Sequence, residues 1–581
     1  MKKNIFLFLF LSLFSNIILV AQNALFIPDT LSGTTFNLNV QKGSKVFYPG
    51  FNTTTYGYNG AFLGPTLIMR KGDSVTLNVT NNLPAEKTTV HWHGLHVAAK
   101  NDGTPYQAIG VGETWRPSFK VRNNAATFWY HPHIHPKTEF QVGKGLAGMI
   151  IVRDSIEATY NLPRRYNVDD FPLIVQCRIF DVYHQIGVAT HDDTTLMVNG
   201  TIDPYLKVPK QVVRFRLLNG SADRSYNFGL STNANFYVIA SDGGLLSKPY
   251  STKRMVLSPG ERAELLIDFS KDTIGQKTYL MSYASELPRG VIGADSVGTS
   301  TLIIQDGYYQ NHLNGRNFNL LRFDVGAATA NPVTTIPTAF APVTPISASL
   351  VNENRSITFY PDTVTSGKQG YVDGPFLLNN DHFEMSKINI TTYLNNVEIW
   401  TFTNKTMVAH PFHIHDIQFF VLDINGNPPP PELSGLKDVI LVKPNDVVRV
   451  ITKFETFADK DVPYMYHCHL LHHEDDGMMG TFVVLDTTKA TGIPNKINLK
   501  NNLTVFQNFS SNELTINLLA EKRASSKIYI IDALGRKQMD IWEGNLQQGE
   551  NNFKANIDKL SSGIYFVIAT GDQLQWKKIV K

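Results

Sequence analysis

The feature that most constrains the fold is an alternation of apolar and polar residues that recurs in three separate parts of the chain. The alternating apolar positions are Val75, Leu77 and Val79, then Val213, Phe215 and Leu217, and finally Trp400 and Phe402. Side chains two residues apart lie on the same face of a β-strand, so this alternation is typical of half-buried strands. Its threefold recurrence predicts a triplicated β-sandwich unit.

Domain boundaries follow from turn-rich stretches and from strand patterns that run into an aspartate, at residues 148–154, 301–306 and 480–486. We predict three sandwich domains at residues 23–156, 157–320 and 351–488, with an Ala-, Pro- and Thr-rich linker at 321–350. Residues 489–581 form a smaller β-domain. The chain is therefore predicted to be all-β, with three large sandwiches and a small C-terminal one.

The N-terminus has the composition of an export signal. Lys2 and Lys3 precede an apolar run from Ile5 to Val20 that ends near Ala21. This run is shorter than the ~20 apolar residues that a membrane-spanning helix needs, so we interpret residues 1–22 as a secretory signal peptide rather than an anchor. We expect a mature chain that is secreted or held at the cell surface, with no stable membrane span.

Charge and cysteine content exclude further classes of protein. The 581 residues include 53 basic and 50 acidic side chains, a net charge of +3, so we expect no nucleic acid as a partner. Only two cysteines are present, Cys177 and Cys468, which cannot form a disulfide framework. We interpret Cys177, in an apolar strand-like run, as a buried free thiol.

Thirteen of the 17 histidines lie in four short windows, at residues 91–96, 131–135, 410–415 and 467–473. Every window contains a His-x-His pair, whose imidazoles project from one face of a strand. The pairs are His91/His93, His131/His133, His413/His415 and His467/His469. Eight nitrogen ligands exceed what one metal ion can use, so they predict a multinuclear site. Two pairs lie in the first unit and two in the third, so we expect the site between those units, with the middle unit as a spacer.

A second metal centre is predicted around Cys468. This cysteine lies between the two histidines of the last pair, so its thiol must point to the opposite face of the strand. His410, His473 and Met478 can complete a set of two imidazoles, one thiolate and one thioether. This is the blue-copper ligand set, which suits electron transfer. The backbone on either side of Cys468 would connect the two centres.

Four motifs, in order, resemble the signatures of the multicopper oxidases. They are His91-Trp92-His93-Gly94, Trp129-Tyr130-His131-Pro132-His133, His410-Pro411-Phe412-His413-Ile414-His415, and His467-Cys468-His469 continuing through His473 to Gly477-Met478. The resemblance covers about residues 24–487 and is greatest to three-domain bacterial laccases and cuprous oxidases. It implies three cupredoxin-like Greek-key domains, four copper ions, and one-electron oxidation of a small reducing substrate coupled to reduction of O2 to water.

The resemblance also implies a ligand set for each copper. A type 1 copper, which accepts the electron of the substrate, would be held by His410, Cys468, His473 and Met478. A type 2 copper would be held by His91 and His413. The type 3 pair would be held by His93, His131, His133, His415, His467 and His469.

Two residues are candidates for proton delivery. Asp102 matches an acidic residue that the family places near the oxygen-reduction site as a proton donor, although an Asp before Gly103 is also typical of a turn. His472 occupies a position where cuprous oxidases usually have Glu in the proton channel, and a histidine there could relay protons. His96 and His135 are either further residues around the site or exposed strand histidines.

The substrate hypothesis depends on the side chains that precede the third motif. Cuprous oxidases have Asp and Met there, whereas this chain has Thr406 and Val408, and residues 325–349 contain no Met. Soft Cu(I) prefers sulfur ligands, so our first hypothesis is a laccase-like oxidase of phenols or aromatic amines. The alternative enzyme is a metal-ion oxidase acting on Cu(I) or Mn(II). The third hypothesis is a non-catalytic copper-storage or structural cupredoxin protein, which would be expected to lack ligands.

The C-terminal domain resembles the sorting domain of type IX secretion cargo. The shared features are a strand pattern at 528–532, a turn at 534–536, a second strand pattern at 560–567 and a basic end at 577–581. The resemblance implies the type IX secretion machinery as a partner, passage through the outer membrane and removal of the tail. We expect the mature protein to be a monomer.

Overall fold

The structure is a computed structural model that describes residues 22–187, 193–298, 308, 311–362, 374–486, 503–508, 511–520, 522–533, 535–570 and 575–581. The predicted signal peptide up to residue 21, the predicted strand at 301–306 and Leu534 of the predicted turn lie outside the described residues. Strands dominate the rest, which confirms the all-β prediction. In the part of the chain that the structure describes, no helix is long and apolar enough to cross a membrane.

The first sandwich contains two facing sheets and one helix. Its elements are β1 Asn23–Ala24, β2 Thr30–Ser32, β3 Thr35–Lys45, β4 Thr53–Tyr58, β5 Thr66–Arg70, β6 Ser74–Asn82, β7 Thr114–Trp115, β8 Ser118–Lys120, β9 Ala126–Tyr130, α1 Thr138–Gly143 and β10 Gly148–Arg153. The sheet orders are β2-β5-β10-β9 and β4-β3-β6-β7, with β8 beside β6. The alternating residues of β6, Val75, Leu77 and Val79, are fully buried in the core, as predicted.

The second sandwich has larger sheets. Its strands are β11 Asp170–Arg178, β12 Thr195–Val198, β13 Thr201–Ile202, β14 Pro204–Pro209, β15 Val212–Asn219, β16 Tyr226–Leu230, β17 Phe236–Ser241, β18 Gly244–Thr252, β19 Met255–Leu257, β20 Arg262–Asp268, β21 Lys277–Tyr283 and β22 Asn317–Gly326. They form the orders β13-β12-β11-β15-β20-β17-β18 and β1-β14-β22-β21-β16-β19, so β1 crosses over from the first sandwich. Cys177 lies buried in β11, and both cysteines are free thiols.

The third sandwich returns to the smaller size. Its elements are β23 Glu353–Pro361, β24 Phe376–Leu378, β25 Ile390–Tyr393, β26 Val397–Asn404, β27 His410–Ile414, β28 Phe419–Ile424, β29 Val439–Val442, β30 Val447–Lys453, β31 Asp459–Cys468, α2 Leu471–Asp475 and β32 Met479–Leu485. The sheet orders are β24-β23-β26-β30-β28 and β25-β32-β31-β27-β29. In all three sandwiches an early strand pairs in parallel with a later one (β3 with β6, β11 with β15, β23 with β26), which is consistent with a repeated unit.

The linker begins later than predicted. β22 runs through the predicted boundary at residue 320, because Leu321, Phe323 and Val325 alternate toward the core of the second sandwich. The Ala-, Pro- and Thr-rich stretch starts only after this strand. Within it, Val333 and Phe340 pack against the second sandwich and Val343 packs against the third. The segment is therefore attached to both sandwiches along its length.

Residues 487–581 form a separate compact unit. Its strands are β33 Leu503–Asn508, β34 Glu513–Ala520, β35 Ala524–Asp532, β36 Lys537–Leu546, β37 Gly549–Asn556, β38 Ile564–Ala569 and β39 Gln575–Val580. They form sheets in the orders β33-β34-β37 and β36-β35-β38-β39. An apolar core that includes Leu514, Ile528 and Val567 gives this unit its own basis for folding.

Candidate metal centres

Backbone pairing brings the four His-x-His pairs together. His91 N donates to His131 O at 2.8 Å, and His131 N donates to His91 O at 3.2 Å. In the third sandwich, β27 and β31 align His413 opposite His467. The two halves then meet face to face, because the rings of His93 and His413 stack with centroids 3.8 Å apart. The eight histidines, which we call the histidine cluster, lie buried between the first and third sandwiches, where the sequence places them.

Oxygen acceptors lie against one ring nitrogen of seven cluster histidines, and all of these contacts except that of His133 are hydrogen bonds. In the six hydrogen bonds, the nitrogen that faces the acceptor carries the N–H, so the other nitrogen of that ring carries a lone pair. The contacts are His91 Nδ1 to Asp102 O at 2.9 Å, His131 Nδ1 to Pro132 O at 2.8 Å, His413 Nδ1 to Asp438 O at 2.8 Å, His467 Nδ1 to Cys468 O at 2.9 Å, His415 Nδ1 to Asp102 Oδ2 at 2.7 Å, His133 Nδ1 to Glu474 Oε1 at 3.2 Å and His93 Nε2 to Asp438 Oδ1 at 3.1 Å.

The free lone pairs converge. His467 Nε2 lies 3.2 Å from His133 Nε2 and 3.1 Å from His415 Nε2, and the Nε2 atoms of His467 and His415 have no proton to share. Lone pairs at this distance repel one another unless a cation lies between them. The arrangement therefore fits a metal ion bound by imidazole nitrogens.

Other nitrogens of the cluster have no protein partner. Among the described residues, His91 Nε2, His413 Nε2 and both ring nitrogens of His469 are buried without a hydrogen bond. A buried polar atom without a partner costs free energy, so these nitrogens also fit a bound metal ion. Three sets of cluster histidines bring their donor atoms within 4.8 Å of one another: His91, His413 and His415; His91, His93 and His131; and His133, His415 and His467. The donor sets fit more than one metal ion.

Burial keeps seven of the eight cluster histidines in the form that binds metal. Loss of solvent, followed by repulsion among neighbouring rings, lowers the pKa of six histidines well below the ordinary value of 6.5: His93, His131, His133, His413, His415 and His469. Burial also lowers the pKa of His467 to about 3. These imidazoles are neutral near pH 7 and can donate a lone pair to a cation.

Cys468 belongs to a second candidate centre, on the opposite face of β31. Its Sγ lies 3.4 Å from His410 Nδ1 and 3.6 Å from His473 Nδ1, and α2 turns the chain back so that His473 reaches it. Met478 is fully buried, and its carbonyl accepts the Cys468 N–H at 3.1 Å, which places the two residues side by side. Burial raises the pKa of the Cys468 thiol well above its usual range, so a bound cation is needed to hold it as a thiolate. We call these four residues the Cys468 site.

The residues before the third motif close one edge of the His410 ring. Thr406 Oγ1 lies 2.7 Å from His410 Nε2, and Thr406 and Val408 are both buried. Phe376 packs against the rings of His410 and His473, with centroids 4.8 and 4.5 Å away. A hydroxyl and an aliphatic side chain thus stand at the two positions where cuprous oxidases have a carboxylate and a thioether.

Asp102 lies at the junction of the two halves of the cluster. Its Oδ2 lies 2.7 Å from His415 Nδ1 of the third sandwich and its Oδ1 lies 3.4 Å from His91 Nδ1 of the first. Burial raises the pKa of Asp102, and the nearby His91 partly offsets this rise. Asp102 also ends the 3-10 turn Ala99–Asn101, so its two predicted roles are compatible.

Glu474 is a second carboxylate at the cluster, and the sequence analysis did not identify it. Its Oε1 and Oε2 each lie 3.2 Å from a ring nitrogen, His133 Nδ1 and His467 Nδ1 respectively. Burial, and then repulsion from Asp475, raises the pKa of Glu474 well above its usual range. Glu474 directly follows His473, but only the turn of α2 shows that it faces the cluster.

His472, which we predicted as a proton relay, faces elsewhere. Its Nδ1 lies 2.9 Å from Asp223 Oδ1 of the second sandwich. Burial disfavours the charged ring, but the Asp223 carboxylate outweighs it and raises the pKa of His472 to about 9. His96 is likewise paired, with Asp416 at 2.8 Å, and neither residue joins a metal-binding set found among the described residues.

Family models and known relatives match most of the chain. Three models described as multicopper oxidase match residues 39–157, 191–308 and 340–488, and one described as a secretion system C-terminal sorting domain matches residues 504–581. The multicopper oxidase mco of Staphylococcus haemolyticus is 35% identical over 458 residues, which is 77% of this chain and 88% of that protein. The cell division protein FtsP of Escherichia coli is 30% identical over 476 residues, which is 80% and 93%.

Two solved structures share the fold. A laccase-like multi-copper oxidase, CueO from Ochrobactrum sp., is 34% identical with a TM-score of 0.68, covering 79% of this chain and all of that one (100%). A multicopper oxidase from Campylobacter jejuni, described as a metallo-oxidase, is 25% identical with a TM-score of 0.66, covering 80% and 96%.

The chain belongs to the multicopper oxidase family. The predicted cupredoxin-like fold and the predicted copper-dependent oxidoreductase activity with O2 are thereby confirmed. The C-terminal match confirms the predicted sorting domain and indicates an exported protein, secreted or at the cell surface.

Proposed function

We propose that the protein is a laccase-like oxidase that takes electrons one at a time from phenols or aromatic amines and reduces O2 to water with four copper ions. The observation that carries this proposal is the histidine cluster, whose neutral rings direct lone pairs toward one another at 3.1–3.4 Å. Copper, when bound, supplies one-electron redox chemistry and reduction of O2. The chain supplies the ligands, the connection between centres and the protons.

The ligand assignment takes the positions that the family resemblance implies, and the converging donor atoms of His133, His415 and His467 support one of these sets. We assign His410, Cys468, His473 and Met478 to the type 1 copper, and His91 and His413 to the type 2 copper. We assign His93, His131 and His469 to one type 3 copper, and His133, His415 and His467 to the other. Every ligand position that the family resemblance implies is thus occupied by a suitable side chain, which argues against a non-catalytic storage or structural role.

The chain itself joins the two centres. Cys468 directs its sulfur into the Cys468 site, while the residues on either side of it direct their rings into the cluster. This stretch of backbone spans on the order of 10 Å. The Cys468 carbonyl also accepts the His467 Nδ1–H at 2.9 Å, which gives a second connection beside the covalent one. An electron accepted at the Cys468 site has a short bonded path to the cluster.

Two carboxylates can supply protons as O2 is reduced. Asp102 contacts His415 and His91, and Glu474 contacts His133 and His467, so they approach the cluster from different sides. Burial raises the pKa of both groups, which lets each hold a proton nearer neutral pH than a free carboxyl does. We assign Asp102 and Glu474 as the proton donors. His472 pairs with Asp223 of the second sandwich, so its relay role stays a prediction.

The substrate proposal depends on the surroundings of His410. Thr406 and Val408 offer no sulfur beside this ring, and Cu(I) prefers sulfur ligands. The Ochrobactrum relative is described as having oxidase activity towards lignin model compounds and lignosulfonate, which supports a phenolic substrate class. The description of the Campylobacter relative as a metallo-oxidase favours the second candidate, oxidation of Cu(I) or Mn(II).

We further propose export by the type IX secretion machinery and a monomeric mature enzyme. The sorting-domain match and the compact C-terminal unit support the first of these. Removal of that unit at the cell surface would leave the three sandwiches complete.

A side-by-side assay tests the proposal. Copper-loaded protein should contain about four copper ions per chain with a blue charge-transfer band, and O2 uptake should be faster with a phenol than with Cu(I) or Mn(II). Cys468→Ser should remove the blue band and turnover while the histidine cluster still binds copper. One copper per chain without O2 uptake would contradict the oxidase proposal, and preference for a metal ion would select the second candidate.

A further inference from the structure

The middle sandwich supplies none of the histidines of the cluster. One of its arginines nevertheless bonds Asp438, an aspartate that accepts hydrogen bonds from two of those histidines. Arg262 begins β20 and is fully buried. Its Nη1 and Nη2 donate to Asp438 Oδ1 and Oδ2 of the third sandwich at 2.5 and 2.6 Å. This is a bidentate, charge-assisted pair, in which direction as well as distance is fixed.

The remaining donors of the guanidinium are also used. Arg262 Nε donates to Thr127 O of the first sandwich at 3.1 Å, and its terminal nitrogens reach Gly260 O at 3.1 Å and Asp242 O at 3.2 Å. The arginine is thereby bonded to all three sandwiches at once. Its orientation cannot change without breaking several buried hydrogen bonds.

Asp438 in turn fixes two rings that belong to different sandwiches. Its Oδ1 accepts from His93 Nε2 at 3.1 Å and its backbone carbonyl accepts from His413 Nδ1 at 2.8 Å. These bonds leave the lone pairs on His93 Nδ1 and His413 Nε2, the nitrogens that face the cluster. The two rings stack with an interplanar angle of 11°, so one aspartate sets the orientation of both.

The chain leaves room for this contact at a glycine of the first motif. A Cβ at Gly94 would lie 2.5 Å from Asp438 Oδ2 and 2.7 Å from Arg262 Nη2. Because Gly94 has no Cβ, the Arg262–Asp438 pair can lie directly against the backbone that follows the first histidine pair. The middle sandwich also forms part of the wall, because a Cβ at Gly260 would come within 2.8 Å of the His469 ring.

We propose that Arg262 is a positioning residue of the copper cluster, which holds Asp438 so that His93 and His413 present the correct nitrogens to metal. The inference rests on the proposed function, since it requires copper at the histidine cluster. Outer partners of metal-ligating histidines typically change metal affinity by about 10–100-fold when removed. The middle sandwich is then a structural part of the site and not only a spacer.

Three variants of the full chain test the role. Arg262→Gln removes the charge and the bidentate fork, and Arg262→Lys keeps the charge alone. Glu261→Gln is the matched control, because Glu261 bonds Lys437 at 2.6 Å across the same interface but has no bond to Asp438. Copper affinity is measured by competition with a chelator, type 2 copper by electron paramagnetic resonance, and folding by circular dichroism and unfolding temperature of the copper-free protein.

We expect Arg262→Gln to weaken copper binding at the cluster by about 10–100-fold and to lose the type 2 signal, with the blue band of the Cys468 site unchanged. Arg262→Lys should recover part of the affinity, and Glu261→Gln should bind copper as the wild type does. Unchanged affinity in Arg262→Gln, or an equal loss in Glu261→Gln, would overturn the inference.

The outcome also separates this inference from the proposed function. If the wild-type cluster binds no copper, the proposed function fails; if it binds copper and Arg262→Gln does too, only the positioning role fails. Should Arg262→Gln not fold, Asp438→Asn tests the same contact from the other side. It should weaken copper binding as much, and adding Arg262→Lys to it should cause no further loss.

Discussion

Replacing Gly103 with alanine tests how rigidly Asp102 is held against the histidine cluster. Gly103 has a φ of +82°, a conformation that side chains with a Cβ rarely adopt, and a Cβ there would overlap the Val90 carbonyl and lie 2.9 Å from His91 Cα. Gly112 is a matched control, because its φ is +77° and, apart from Gly112 itself and its two chain neighbours, no atom of the described residues lies within 4 Å of the Cβ position.

The two variants separate the cost of conformation from the cost of overlap. A left-handed alanine costs about 1–2 kcal/mol, of which about 0.4–1 kcal/mol returns because alanine restricts the unfolded chain. Gly112→Ala should therefore lower the free energy of unfolding by about 1 kcal/mol. Gly103→Ala adds an overlap term of about 3 kcal/mol, the upper end for overpacking, because a backbone carbonyl cannot rotate away as a side chain can. Its total is about 4 kcal/mol.

The assay is thermal unfolding of the copper-free proteins. At about 2–4 °C for each kcal/mol, Gly112→Ala should lower the unfolding temperature by about 2–4 °C and Gly103→Ala by about 8–16 °C. Copper affinity should fall only in Gly103→Ala, since the overlap displaces the segment that carries Asp102 and His91. Equal shifts in the two variants would refute the reasoning, because conformation alone would then explain both.

The other expectations concern protons, pH, the His410 ring and the tail. Asp102→Asn and Glu474→Gln should each slow O2 reduction by about 10²-fold or more while the blue band stays, as measured by O2 uptake; full activity would exclude them as proton donors. Burial holds the pKa of seven of the eight cluster histidines below 6.5, so those seven stay neutral as pH falls. Copper affinity should then change little from pH 7 to 5.5, whereas an ordinary imidazole loses about tenfold per ligand; a competition titration that shows such a loss would contradict this. Thr406→Val leaves His410 Nε2 without its partner and should cost about 1–3 kcal/mol of stability with copper content unchanged, as judged by denaturation and metal analysis. A chain ending at Asp486 should fold and keep its oxidase activity, because residues 487–581 form a separate compact unit; an insoluble product would count against this.

Sequence periodicity was sufficient for the cores and for the approximate position of the site. Val75, Leu77 and Val79 are buried in β6 because a period of two assigns them to one face whatever the sandwich packs against. The same rule separates Cys468 from its neighbours in the chain, and the structure places its sulfur near His410 and His473. The face of a strand on which a side chain lies is a local property, so it can be predicted directly from the sequence.

Contacts made across the fold were not predictable in the same way. Arg262 and Asp438 are 176 residues apart, and neither lies in a motif, so nothing local marks their pairing. Glu474 is adjacent to a ligand, but its direction depends on one turn of α2. The linker boundary at residue 320 was wrong because β22 continues to Gly326, and the composition changes only where that strand ends. These features depend on how the sandwiches pack against one another, and the periodicity of the sequence carries no information about that packing.

The charged contacts of β20 show why a sandwich without ligands matters to the site. Two residues of β20 bond Thr127: Arg262 donates to its carbonyl, and Glu264 accepts from its hydroxyl at 2.7 Å. These bonds hold β20 against β9, the strand that precedes His131. Buried ion pairs lose much of their attraction to desolvation, and apolar residues of similar volume would serve an interface at least as well if stability were the only requirement. Unlike an apolar contact, a bidentate ion pair also fixes the relative orientation of the two side chains. The hydrogen bonds of β20 therefore fix the position of the first sandwich relative to Asp438 of the third. A metal site whose histidine rings come from two separate sandwiches requires such a fixed relative position.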